Sequence, residues 1–146
     1  MSETDKKQEV LAFLKQRKAR TDEDILNEHR AARSTAPANA VEVTVRNYPQ
    51  PVMVDKFPTG YRLSEPDTMI LTAKAGFPVA CYSAWQSEDG STNRLINRFH
   101  SGRKNFSGTC LLFGWENGAP APFTTEQANL VCDILSEARL RLDRGQ

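Results

Sequence analysis

At 146 residues the chain has the length of one ordinary domain, enough to hide about two-thirds of its unfolded surface in a single core. Lys plus Arg number 19 against 18 for Asp plus Glu, and the resulting net charge of +1 excludes a global pull toward nucleic acid, anionic membrane or acidic substrates; an electrostatic partner has to be met by a local patch. The polar start Met1-Ser2-Glu3-Thr4-Asp5-Lys6 lacks the apolar centre of a secretory signal, mean hydropathy is −0.54, and no apolar run approaches the ~20 residues that cross a bilayer, so a cytoplasmic protein without a membrane partner is expected.

In chain order, residues 3–34 are charged, free of Gly and Pro, and carry the apolar groups Val10, Leu11, Phe13, Leu14 and then Ile25, Leu26. Two short helices fit this. Ser2 stands three before Asp5 and Thr21 three before Asp24, the spacing at which a hydroxyl accepts an orphan amide of the first turn. Asp22, Glu23 and Asp24 then open the second helix while Arg30 and Arg33 close it, the charge order that the helix dipole favours. Residues 34–40 are small or turn-forming and read as a linker, dividing a helical N-terminal extension (1–34) from an α+β domain (41–146).

Within that domain, 41–45 alternates apolar and polar as a strand with one wet face, and Pro49 and Pro51 limit a short second strand at 52–54 to a sheet edge. A loop follows around Tyr61. Residues 69–75 and 79–85 read as two antiparallel strands joined at Gly76-Phe77-Pro78, continuing a meander. Residues 92–99 form a short helix with Leu95, Ile96 and Phe99 on one side. The run Cys110-Leu111-Leu112-Phe113-Gly114-Trp115 is a buried strand, Gly118, Pro120 and Pro122 break the chain, and Thr124 with Gln127 caps a long helix whose apolar stripe is Leu130, Val131, Ile134, Leu135, Ala138 and Leu142. The expected architecture is an antiparallel sheet of about five strands with the C-terminal helix across one face and a two-helix N-terminal extension.

The tail from Ser107 to Leu142, with Gly108, Leu111-Leu112-Phe113-Gly114, the Pro120/Pro122 loop and Phe123-Thr124-Thr125-Glu126 before the apolar helix, resembles the closing strand–loop–helix of GAF-type sensory domains. The resemblance covers about a quarter of the chain. It implies a central antiparallel sheet that holds a small ligand, and terminal helices that pair in a dimer. The prolines at 49, 51, 58 and 66 depart from that family's middle region, and no ligand residue carries over.

No complete catalytic set stands out. Cys81, Cys110 and Cys132 are odd in number and lie in apolar stretches, as buried free thiols in a reduced compartment do. His29 and His100 are far apart without metal-ligand spacing, so no metal or cofactor is expected, and His29 beside Glu28 reads as a surface residue. Pro66-Asp67 with Lys74 has the outline of a metal-dependent nuclease motif, but Thr72 stands where a carboxylate has to hold the cation. The P-loop, dinucleotide-binding and nucleophile-elbow signatures are absent from the sequence.

The candidate binding residues are the basic segment Arg94, Arg98, His100, Arg103 and Lys104, interleaved with Phe99 and Phe106, and the strand-end indoles Trp85 and Trp115, each able to line a pocket. Three functions follow from them. The first is a non-enzymatic regulatory or interaction module binding a protein partner or small ligand, such as an accessory protein of a mobile element, with the N-terminal helices as a docking or homodimer surface. The second is a nucleic-acid binder using the segment 94–104, and the third an enzyme without a recognisable motif.

Overall fold

The computed structural model describes residues 6–9, 21–83, 91–101 and 106–145. Residues 6–9 are helical. After them come α1 (Asp22–Ala32), β1 (Ala40–Val43), β2 (Gln50–Val52), β3 (Leu63–Ser64), a 3-10 turn at Pro66–Thr68, α2 (Ile70–Ala75), β4 (Ala80–Tyr82), α3 (Arg94–Asn97), β5 (Cys110–Glu116), β6 (Ala119–Ala121) and α4 (Thr125–Asp143). The fold is α+β, as expected: an antiparallel sheet in the order β2-β1-β5-β4-β3, with β6 paired to the far end of β5 and the long α4 packed on the sheet.

Strand β5 organises the sheet. Cys110 to Gly114 are buried without exception, with Cys110 and Leu112 in one apolar cluster and Leu111 and Phe113 in another, so alternation sends side chains into two cores. Facing Cys110 and Leu112 are Leu71, Leu95, Ile96, Phe106, Val131 and Leu135 from the helices and their flanks. Facing Phe113 is the segment after β2, with the Phe57 ring 5.1 Å from the Phe113 ring. On β1 the face of Val41 and Val43 is buried, while on the other face Ala40 is buried and Glu42 is half-exposed.

Two local signals hold as the sequence predicts. The Thr21 and Thr124 boxes are both reciprocal, with each hydroxyl accepting an amide three residues on and Asp24 or Gln127 accepting the cap amide. The Ser2 box and the apolar group at residues 10–14 lie outside the described residues. Pro51 sits in β2, an edge strand, where its missing amide costs no ladder bond. Just beyond, the Asn39 carboxamide acts as a further rung, accepting from Val54 N and donating to Val54 O, both at 2.9 Å.

Three expectations are corrected. Residues 69–75 are not a strand: Ile70–Ala75 is helical and ends at Gly76, whose φ of 82° is the left-handed cap conformation. Leu71 and Ala75 face the core one turn apart, and Lys74 with Gly76 gives the helix-stop pattern. The meander therefore fails, and β3 reaches its antiparallel neighbour β4 through the 3-10 turn and α2. The break at 118–122 contains β6. Asn117 and Gly118, with φ of 53° and 76°, close a two-residue hairpin of the kind whose twist suits flanking strands. At its base Gly114 is required by close approach, since a Cβ there would stand 3.0 Å from Ala121 O. Finally the buried stripe of α4 runs through Ala128, Val131, Cys132, Leu135, Ser136, Arg139 and Leu140, and Leu130 is exposed.

Asn93 ties three segments together. Fully buried, it donates from Nδ2 to Val43 O and Gly108 O at 3.0 Å each, while Oδ1 accepts from Ile96 N at 3.1 Å to cap α3. Asn93→Ala takes a hydrogen-bond partner from two carbonyls and an amide in the core, an expected loss of about 2–4 kcal/mol and of about 5–15 °C in Tm. Asn93→Asp keeps the cap but removes both donors and is expected to lose a comparable amount. Thermal unfolding of the two variants checks this, and a Tm within a degree of wild type in either would refute the assignment.

Candidate functional site

The segment between β1 and β2 and the helix α1 enclose a groove of about 420 Å³, lined by His29, Glu42, Thr44, Arg46, Asn47, Tyr48 and Gln50. Each wall has a local cause. Glu42 and Gln50 face each other across the β1–β2 ladder. The turn between the strands is held by Asn47 N donating to Thr44 Oγ1 at 3.0 Å and by buried Pro49. From the opposite side His29 lies flat on Tyr48, ring centroids 3.5 Å apart and planes 15° apart. His29 is therefore half-buried at a helix–loop seam, where the sequence suggested a plain surface position.

Behind the groove runs the C-terminal half of α4. Arg139, only 4% exposed, donates from Nη2 to Thr44 O at 3.0 Å, and its Nε has no hydrogen-bond partner among the described residues. Burial pushes its guanidinium pKa down, opposed by Asp143 and Tyr48. The Tyr48 phenol is pushed up, first by burial and then by Asp143, with Arg139 and Arg144 pulling the other way. Tyr48 thus stays a neutral donor and acceptor, and the groove offers a carboxylate, a guanidinium, two carboxamides, hydroxyls and a ring face.

Helix α1 is fixed to α4 by charge. Asp133 pairs with Arg33 at 2.7 Å and accepts from Arg30 Nε at 3.2 Å, and Asp22 pairs with Arg144. Arg33 is no surface cation: it is buried and also donates to Asn129 O and Ser136 Oγ at 3.3 Å. Beneath the helix is a cleft of about 160 Å³.

The residues singled out from the sequence lie elsewhere. Arg94 and Arg98 are exposed on and just after α3, and His100 packs edge-on against Phe106 with centroids 5.1 Å apart. Phe99 and Phe106 are core residues, at 5% and 0% exposure, so neither ring is available to stack a base. Trp115 is half-buried and lines a separate cleft of about 140 Å³ with Phe77, Pro78 and Phe123. Trp85, Arg103 and Lys104 lie outside the described residues. Of the groove residues the sequence pointed to His29 alone, and not as a ligand contact. Arg139 carries a usable signal, because it falls on the buried stripe seven residues after Cys132.

All three cysteines are free and buried, and no described helix is long and apolar enough to cross a membrane. Comparison of the chain with protein-family models, curated proteins and solved structures gives no match. Burial pushes the Cys132 thiol up to about 12, with Arg33 lowering it and Asp133 raising it by smaller amounts. The thiolate is the reactive form, so alkylation of Cys132 by iodoacetamide near pH 8 is expected to be about a thousandfold slower in the native protein than in denaturant, as peptide mass spectrometry would read. The sign for stability follows: only the unfolded chain ionises this thiol readily, so its contribution is complete below about pH 9 and is lost as pH rises toward 12. Native labelling at the rate of an exposed thiol would contradict the assignment.

Proposed function

We propose that the protein is a non-enzymatic binding module whose recognition site is the groove between α1 and the β1–β2 segment, taking a small polar ligand. The observation that carries this reading is the groove's size with its lining: about 420 Å³ falls within the range of ~300–1,000 Å³ occupied by small-molecule sites, whereas the clefts of about 160 and 140 Å³ hold little more than a side chain. Its polar groups are of mixed sign and mixed donor and acceptor type, fixed on a ladder, a closed turn and a ring stack. Such a lining orients a compact polar molecule by a few placed hydrogen bonds.

This reading is favoured over nucleic-acid binding through Arg94 and Arg98 because the aromatic residues of that segment are committed to the core and so are closed to stacking on bases. A native mass spectrum of the freshly purified protein, with amide shift mapping against a mixture of sugars, nucleosides and amino acids, tests the proposal. Expected are a retained mass that disappears on denaturation, or shifts confined to residues 42–50 and α1, and in either case abolition by Arg46→Ala with Gln50→Ala. A bare chain with no shift at those amides, or shifts centred on Arg94 and Arg98, would sink it.

A further inference from the structure

Helix α1 supplies the His29 side of the groove, yet contributes no buried side chain of its own. Ile25 and Leu26 are half-buried, and the cleft lined by Leu26, Arg30, Ile134 and Glu137 lies between the helix and α4. Among the described residues, none of the side chains of α1 joins an apolar core cluster. The helix's attachments are polar and unequal. Just after its C-terminal end, Arg33 has a side chain 4% exposed that pairs with Asp133, 34% exposed, and donates to Ser136 Oγ and Asn129 O, so that with one partner buried salt screens this pair less than a fully exposed one. At its N-terminal end Asp22 and Arg144 pair with side chains 58% and 42% exposed, a contact of small net worth that salt does screen. Between the two ends lie the His29–Tyr48 stack and the Arg30–Asp133 pair, which adjoins the Arg33 end.

We infer that α1 is a hinged strap over the groove: it pivots at the buried Arg33 and its partner Asp133, while the exposed Asp22–Arg144 pair and the His29–Tyr48 stack latch it shut. Opening uncovers Tyr48 and widens the groove without disturbing the core, because the helix buries nothing there. A ligand that touches both His29 and the β1–β2 turn binds the closed form better and so holds the strap down. The strap regulates access to the ligand site proposed above, and it is detectable with no ligand present, so its failure and the failure of ligand binding are separate results.

The test uses the full chain at low ionic strength and in about 1 M NaCl, where the screening length falls to ~3 Å, together with Arg144→Gln, which weakens the latch without altering the sequence of α1. Amide exchange reports helix opening. Nitration of Tyr48 by tetranitromethane reports groove opening, with Tyr61, 85% exposed, as the internal reference. Salt in the wild type, and the variant at low salt, are each expected to raise exchange at residues 25–32 and relative nitration of Tyr48 about two- to fivefold, with the central amides of α4 unchanged. No change in either readout, or a rise in one without the other, overturns the strap.

Discussion

Everything in this fold answers to one constraint, that both faces of β5 have to be kept from water. Leu111, Leu112 and Phe113 are consecutive and fully buried, each worth about 1.5–3 kcal/mol in transfer, and consecutive strand residues point to opposite sides. One layer of helices is therefore insufficient. β1 and β4 flank the strand, α2, α3 and α4 cover its Cys110–Leu112 side, and the segment carrying Val54 and Phe57 covers the Leu111–Phe113 side. The hairpin to β6 then uses what remains: β1 pairs with residues 110–112 and β6 with 114–116, so the two divide the length of the strand.

Three of the large polar side chains in this interior, Asn93, Arg33 and Arg139, have a structural task. Asn93 closes the gap between β1, α3 and the approach to β5, and every arm of its side chain is used. Arg33 and Arg139 stand on the α4 side, one anchoring α1 and the other holding the carbonyl of Thr44. Two buried guanidiniums on one helix surface are costly to desolvate, and the fold offsets that cost through Asp133 for the first and through backbone contact and the neighbouring Asp143 for the second. Arg139 is the less completely satisfied, with Nε unpartnered among the described residues, and it lies directly behind the groove.

How much of this the sequence disclosed depends on the range of the interaction. The boxes at Thr21 and Thr124 involve four residues each and were legible, as were the edge position forced by Pro51 and the burial of β5. Residues 69–75 misled because Met, Ile, Leu and Thr suit a strand locally, while the deciding features, Lys74 before a left-handed Gly76 and the packing of Leu71 and Ala75 one turn apart, concern the far end of the segment and its neighbours. The hairpin at Asn117-Gly118 was legible in principle, and the surrounding prolines obscured it. The groove was not legible at all. His29, Glu42 and Tyr48 are brought together by α1 docking on α4 and by the β1–β2 pairing, contacts between residues up to about a hundred positions apart, such as Arg30 with Asp133, that no periodicity encodes.

The groove lies on a seam between two kinds of attachment, and that placement distinguishes it from the clefts beneath α1 and beside Trp115. On one side is the β1–β2 ladder, tied through Val41 and Val43 to the main core; on the other is a helix held by ion pairs and one ring stack. Elements that change position on binding come from the least stable parts of a fold, and α1 meets that condition without endangering the rest, since removing its contacts opens no cavity in the apolar clusters. The cleft beside Trp115 has no such freedom. Gly114 fixes its floor through close approach to Ala121 O, and Phe123, with its ring against Phe77, is part of the core. A site there could widen only by breaking the packing that keeps β5 dry.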